Sequence, residues 1–185
     1  MYNANIIGTL IHGDPRPENL FFNPLTFIDL QLAMETPPEH DIMWMCMYGF
    51  GPEYRREHEI DLIYHYHTEL GKRGIDLDSH TLESCAFHFG DEAGFMFAEQ
   101  IIAIKDMSKK IEEDPKMGEM FVTVLKRLDA FIQDWDISKM LEFHLNRVNT
   151  GTTNVPITND DWRSCLPEAQ LQKIDAIFKA KKNVK

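Results

Sequence analysis

Asp14, Asn19 and Asp29 are spaced so that one short loop and hairpin could bring two carboxylates and an amide oxygen to a common edge. That set suits phosphoryl transfer from ATP. One carboxylate orients or deprotonates the attacking hydroxyl, while the amide oxygen and the second carboxylate hold magnesium on the phosphates. Magnesium takes hard oxygen ligands at about 2.0–2.1 Å and keeps several waters, so one carboxylate and one amide, completed by phosphates and solvent, satisfy it. Asp14 precedes Pro15, which pushes its backbone towards an extended conformation. An extended residue presents its side chain, where a helix would coil it away.

The surrounding sequence must position these groups. Gly8 to Ile11 is a short apolar run that reads as a strand end entering the loop at His12. Leu20 to Asn23 and Thr26 to Leu30 are β-favouring runs around the turn signal Asn23-Pro24, which predicts a tight hairpin. The pattern then turns helical. Asp41 to Tyr48 is apolar almost all round, as a core helix is, and Gly49, Gly51 and Pro52 end it. Glu53 to Leu70 reads as a charged amphipathic helix with Ile60, Ile63, Tyr64 and His67 at helical spacing, stopped by Gly71 and Gly74. Asp78 is the expected N-cap of the next helix, whose apolar face runs Ala86, Phe89, Ala93, Phe97, Ile101, Ile104.

Asp114-Pro115 opens a further helix with proline in its first turn. Its stripe is Met117, Met120, Phe121, Val124, Leu125, Leu128, Phe131, Ile132 and Trp135. Ser138 is expected to cap a helix through about Val148, Asn149 to Asp160 reads as a loop, and Pro167 to Ala180 closes the chain with Leu171, Ile174, Ile177 and Phe178 on one face.

At 185 residues with 43% hydrophobic content, the chain has the material for one domain and one core. Its formal charge of -11 and the absence of a basic stripe argue against a nucleic-acid partner. The basic cluster Lys179, Lys181, Lys182 and Lys185 reads as a solvated, frayed tail. Cys46, Cys85 and Cys165 lack metal-ligand spacing and read as reduced, cytosolic residues. No apolar run reaches the ~18 residues of a membrane span, and the N-terminus lacks a basic start followed by an apolar block, so a cytoplasmic protein without a membrane partner is expected. The ten methionines, four of them near Trp44, read as adaptable core filling.

His12-Gly13-Asp14, four residues, Asn19, and a hairpin ending in Ile28-Asp29 together resemble the protein-kinase-like superfamily, and more narrowly its aminoglycoside and choline phosphotransferase branch. Asp29-Leu30-Gln31-Leu32-Ala33 and Pro38-Glu39-His40-Asp41-Ile42 look most like the ecdysteroid-kinase-like, or CHK-like, proteins. A looser likeness continues through Arg55 to Leu70 and Gly74-Ile75-Asp76-Leu77. Pro15, Glu18 and Leu30 depart from the family pattern, and none of these departures removes a ligand.

The resemblance implies a mainly α fold with a small β-hairpin, the C-terminal lobe of a kinase-like protein. Residues 1–33 would form the catalytic loop and metal-binding hairpin and 37–180 a helical subdomain, within a single domain 1–185. Asp14 would be the catalytic base, Arg16 would help neutralise charge on the transferred phosphate, Asn19 and Asp29 would bind magnesium, and His12 and Asp41 would brace the loop. ATP would be co-substrate and a small hydroxyl-bearing molecule the acceptor; the resemblance leaves that acceptor open among aminoglycosides, choline and steroid-like alcohols. Too few residues precede Gly8 to make an N-terminal lobe, so that lobe is expected to be absent here, and activity is expected of the complete protein.

Two rivals come from other classes. A non-catalytic helical module would use the face normally covered by an N-terminal lobe to bind another chain or a second copy. A helical HD-type metal phosphohydrolase would use His40-Asp41 with His12 and Asp61. His65 and His67, two apart on a predicted helix, point different ways and read as surface or interface residues.

Overall fold

Among the described residues seven α-helices carry most of the chain, and four three-residue strands gather near its start. The computed structural model describes residues 8–182 apart from Ser79, and side chains outside positions 95, 98, 99, 104, 106–108, 110, 111, 181 and 182. Residues 1–7, the side chains of Ile104, Lys181 and Lys182, and Lys185 of the basic tail therefore lie outside what is described.

β1 (Thr9–Ile11) pairs antiparallel with β4 (Met34–Thr36), Ile11 opposite Met34, and β2 (Leu20–Phe22) pairs with β3 (Leu25–Phe27), Leu20 opposite Phe27. The expected hairpin forms around Asn23-Pro24, whose peptide is cis. Its second strand stops at Phe27 rather than running to Leu30, because Asp29 turns into the left-handed region (φ 62°) and a single 3-10 turn follows at Leu30–Leu32. β4 was not expected. Three residues are too few for an alternating pattern to show, and its partner β1 lies far back in the sequence.

The helices are α1 (Glu39–Gly49), α2 (Pro52–Lys72), α3 (Leu82–Glu113), α4 (Pro115–Trp135), α5 (Ile137–Asn149), α6 (Asn159–Cys165) and α7 (Glu168–Lys182). Gly74, at φ 85°, supplies the left-handed step just after α2. Two expected caps move. Thr81, not Asp78, accepts from the Ser84 N–H at the start of α3, while Asp78 donates its own N–H to Asp76. Asp136, at φ 47°, is the N-cap of α5, placing Ser138 inside the helix. α6, also unexpected, starts from a capping box between Thr158 and Asp161. Its signature is Thr-x-x-Asp in place of the commoner glutamate, inside a stretch whose Thr and Asn content reads as loop.

α3 runs through the core. Ala86, Phe87, Phe89, Ala93 and Met96 are fully buried against Leu128, Phe131, Trp135 and Met140 of α4 and α5, with Trp162 of α6 at the edge. Met43, Met47, Met96 and Met140 fill this core as irregular, adaptable side chains. The expected apolar face of α3 does not stay buried along its length: Phe97 and Ile101 are exposed. Phe97 opens onto a cleft of about 650 Å³ between α3, α4 and α5 that Leu125, Ile132, Ile137 and Asp129 also line, so its ring is accessible.

Beneath α1, α2 adds a buried charged layer that its amphipathic pattern did not signal. Arg55 and Glu59 are almost wholly buried. Glu59 accepts from Arg55 Nη1 (2.5 Å), Trp135 Nε1 (3.1 Å) and Gln170 Nε2 (3.1 Å), while Arg55 also pairs with Asp134 and lies over the Phe131 ring. Burial and the nearby Glu59 push the Cys46 thiol up to about 12, so this cysteine behaves as a core residue. All three cysteines are free and buried. No described helix is long and apolar enough to cross a membrane.

Two glycines of α3 test how tightly this core is packed. A Cβ on Gly90 would lie 2.8 Å from the Trp135 ring and 2.7 Å from Met140 Cε, whereas one on Gly94 would meet only Ile137 Cγ2 at 3.1 Å. Alanine gains roughly 1 kcal/mol over glycine in a helix, while overpacking costs about 1–3 kcal/mol. Gly90→Ala is therefore expected to lower stability by about 1 kcal/mol, and Gly94→Ala to be neutral or slightly stabilising. Urea midpoints in the reverse order would show that the Trp135 contact is not tight.

Candidate active site

Asp41 sits in the first turn of α1 and points back at the loop. Its Oδ2 accepts from the His12 backbone N–H (2.8 Å) and its Oδ1 from the Gly13 N–H (3.0 Å). Both donors are main-chain groups of a segment with no strand partner at that point, so the carboxylate stands in for a missing ladder. Gly13 has φ 83°, and a Cβ there would lie 2.2 Å from the Leu32 carbonyl oxygen. Only glycine fits.

The His12 ring fixes the next step. Its Nδ1 lies 3.2 Å from the Asp14 backbone N–H and its Nε2 2.8 Å from the Ile28 carbonyl oxygen. The Asp14 N–H must donate, so Nδ1 is bare and Nε2 carries the proton it gives to Ile28. One imidazole thus ties the backbone at Asp14 to the residue before Asp29. The Ile28 N–H donates in turn to the Asn19 carbonyl (3.0 Å), which closes the loop and the hairpin on each other.

Asp14 is buried. Its Oδ1 accepts from Trp44 Nε1 (2.9 Å), and its Oδ2 accepts from Asn19 Nδ2 (3.1 Å) and pairs with Arg16 Nη2 (3.2 Å). Asn19 Nδ2 also donates to the Asp14 carbonyl (2.9 Å). The amide nitrogen is thereby committed to Asp14, and the amide oxygen is the end left over. Asp29 is exposed, and among the described residues its carboxylate reaches Gln31 Nε2 alone, at the long distance of 3.5 Å. A non-glycine residue in the left-handed region costs about 1 kcal/mol or more, so the surrounding hydrogen bonds hold Asp29 in a geometry its own backbone does not favour.

The structure brings His12, Asp14, Arg16, Asn19 and Asp41 into one hydrogen-bonded set, and it leaves Asp29 at the hairpin edge next to Ile28. Trp44 is the member the sequence reading missed, because it sat inside an apolar run taken as core. The available signal was its indole N–H, which needs an acceptor when buried, three residues after Asp41 on the same helix. Trp44 is steadied by rings four residues either side, His40 at 5.5 Å and Tyr48 at 5.3 Å. Arg127 of α4 donates to the Tyr48 and Met47 carbonyls at the end of α1, where a cation suits the helix terminus.

The phosphohydrolase ligand set does not assemble. Asp41 is used by the loop backbone, His40 Nδ1 faces Glu92 at 2.8 Å, and Asp61 is exposed on α2. Among the described residues His12, His40, Asp41 and Asp61 form no group that could hold a metal.

Residues 8–75 match the model of the phosphotransferase enzyme family. The matched stretch runs from β1 through the end of α2 and so contains every residue of the hydrogen-bonded set. It supports a phosphotransferase of the protein-kinase-like, aminoglycoside-phosphotransferase type. No curated protein and no solved structure matches the chain.

The two hydrogen bonds to Asp41 are charge-assisted, and such bonds contribute about 1.5–3 kcal/mol each. Asp41→Ala is expected to cost about 3 kcal/mol and Asp41→Asn, which keeps one acceptor, about half as much. Urea unfolding reads the loss. Fast amide hydrogen exchange at His12 and Gly13 in the still-folded variant locates it, and unchanged protection there would mean that Asp41 is not the clamp.

Proposed function

We propose that this chain carries the catalytic loop and metal-binding residues of an ATP- and magnesium-dependent phosphotransferase that acts on a hydroxyl of a small molecule. The observation that carries the reading is the buried Asp14 carboxylate, gripped by Trp44 and Asn19 within a stretch that matches the phosphotransferase family model. Asp14 receives or orients the acceptor hydroxyl; its hydrogen bonds keep the carboxylate aimed rather than free to rotate. Proton transfer by a positioned group contributes roughly 10²–10⁴-fold to such a step. Arg16, paired with Asp14 and 39% exposed at its side chain, can swing towards the transferred group and offset its developing charge.

Asn19 and Asp29 fit magnesium. Both offer hard oxygens, the Asn19 oxygen is uncommitted to Asp14, and the Asp29 carboxylate is solvent-facing with a single weak contact. Magnesium, when bound, screens the phosphate charge and orients the phosphates for in-line attack. The left-handed backbone of Asp29 supports a functional assignment, since such strain concentrates where a side chain must be aimed. His12 and Asp41 act as braces. The narrower kinship with ecdysteroid-kinase-like proteins rests on Asp29 to Ala33 and Pro38 to Ile42, and it favours an alcohol acceptor.

A second reading has its own support. Phe21, Phe22, Leu25, Phe27, Leu30 and Leu32 are all exposed around the hairpin, and clustered exposed apolar side chains mark interaction surfaces. In that reading the hairpin face docks another folded body, an N-terminal lobe or a second copy, and the chain is an interaction module. Solution mass tests it: a stable self-associated form with the hairpin protected would favour the module.

In the complete protein, Asp14→Asn is expected to keep the fold and lower ATP-dependent phosphorylation of a hydroxyl acceptor by at least about 10²-fold. Asp29→Asn is expected to abolish magnesium-dependent nucleotide binding. Unchanged Mg-ATP affinity in that variant would sink the metal role of Asp29.

A further inference from the structure

Glu39, His80 and Cys85 bring three metal-binding atoms together inside the protein. His80 Nε2 lies 3.0 Å from Glu39 Oε1 and 3.1 Å from Cys85 Sγ, and all three donor atoms fall within 4.8 Å of one another. The residues are buried, with Glu39 and Cys85 at 0% exposure and His80 at 3%. Burying a carboxylate so completely is costly unless it is paired and well hydrogen-bonded. Yet neither oxygen of Glu39 has a well-directed hydrogen bond among the described residues, although Oε1 is close to the imidazole. One ring nitrogen carries at most one proton, so Nε2 cannot satisfy both the carboxylate and the sulfur as a donor. Sγ and Nε2 are within hydrogen-bond geometry and the thiol also interacts with Glu39, but three potential donor atoms converging at short range on a wholly buried carboxylate is also the arrangement found around a cation.

We infer that Glu39, His80 and Cys85 form a structural site for a divalent transition metal, zinc above all. The donor set argues for zinc. A thiolate, an imidazole and a carboxylate are its usual ligands at about 2.0–2.3 Å, whereas the sulfur excludes a magnesium or calcium preference. The glutamate and the thiolate together neutralise a dication, which removes the buried uncompensated charge. Three protein donors leave the fourth tetrahedral position to solvent or another group. The atoms need move little: a tetrahedral zinc separates its ligands by roughly 3.3–3.8 Å, from the bond lengths, so the two closest pairs open by a few tenths of an ångström.

The site adds to the side-chain bonds that already link α1 and α3, His40 to Glu92 and Gln100 to Tyr48. Glu39 opens α1, His80 lies in the segment before α3, and Cys85 is in the first turn of α3. A metal there pins the start of α1, two residues before Asp41, to the core helix. The inference does not depend on phosphotransfer, because it concerns the anchoring of α1 and not the reaction at Asp14.

The test uses the whole chain purified without added metal or chelator. Elemental analysis is expected to find about one zinc per chain. After removal of that metal, titration with cobalt(II) is expected to give the near-ultraviolet sulfur-to-cobalt band and the strong visible bands of a four-coordinate site. Cys85→Ser is expected to remove the sulfur band and weaken metal binding by 100-fold or more, at or beyond the top of the range seen when a mere supporting group is lost. Wild-type protein that is folded, metal-free and silent towards cobalt would overturn the inference and leave the trio as a buried histidine–glutamate ion pair beside a thiol. A sulfur band that persists in Cys85→Ser would overturn it too, by placing the metal elsewhere. The cobalt spectrum of the wild-type chain decides the matter even if the variant fails to fold.

Discussion

The arrangement around Asp14 depends on backbone N–H groups that have no strand to pair with. His12 and Gly13 follow β1 directly, and a loop that must present a carboxylate cannot continue the ladder. Asp41 solves this from across the chain by accepting from both N–H groups with its two oxygens. Because the acceptor is a rigid fork at the start of a helix, it fixes direction as well as satisfying the donors. The left-handed turn at Gly13 then becomes obligatory, and the ring of His12 is held where its two nitrogens meet Asp14 and Ile28. Remove the fork and the imidazole loses its mooring; without the imidazole, the hairpin edge carrying Asp29 is no longer referenced to Asp14.

A clamp of this kind is only as stiff as the helix that bears it. α1 is short, eleven residues, and a helix of that length is marginal by itself. Its stability comes from what surrounds it. Met43, Cys46 and Met47 are inside the core, and Arg127 satisfies carbonyls at its C-terminal end. On the far side of that core, the Arg55–Glu59 pair locks α2 to Asp134 and Trp135 of α4 and to Gln170 of α7. Exchanging such a pair for apolar residues is often neutral in energy, but removing one partner costs about 3–5 kcal/mol because it strands a buried charge. The layer therefore acts less as a source of stability than as a constraint that allows one registry of α2 against α4.

The loop around Asp14 was legible in the sequence because its contacts are local. Asp14, Asn19 and the Asn23-Pro24 turn lie within a dozen residues, and turn chemistry and residue type suffice to relate them. The amphipathic stripe of α4 was legible for a similar reason: five of its nine positions, Phe121, Val124, Leu128, Phe131 and Trp135, are buried as a single face. What stayed hidden are relations between residues far apart in sequence. Trp44 reads as one more apolar residue until its indole is seen to meet Asp14, and Arg55 and Glu59 look like solvated charges until α4 and α7 cover them. β4 and α6 are too short for periodicity to register. Phe97 and Ile101 mark the opposite error, in which a correct helical period says nothing about whether a neighbouring element reaches far enough to bury the whole face.

These observations converge on the first two turns of α1. Glu39, Asp41 and Trp44 leave that helix on two sides: Glu39 inward to His80 before α3, and Asp41 and Trp44 together to the loop, one to its backbone and the other to the Asp14 carboxylate. At 100° per residue, Asp41 and Trp44, three apart, share the face towards the loop, while Glu39 lies roughly opposite both, so contacts on two sides fix the rotation of α1 about its axis as well as its position. A slip by one residue would break all three at once. The loop therefore needs no extensive packing of its own. It is the helix that is triangulated, and the loop inherits its geometry through two backbone hydrogen bonds and one indole. On this argument the position of the Asp14 carboxylate is set by the packing of α1, and Glu39 at the base of that helix belongs to the same positioning machinery as the carboxylate fork two residues further on.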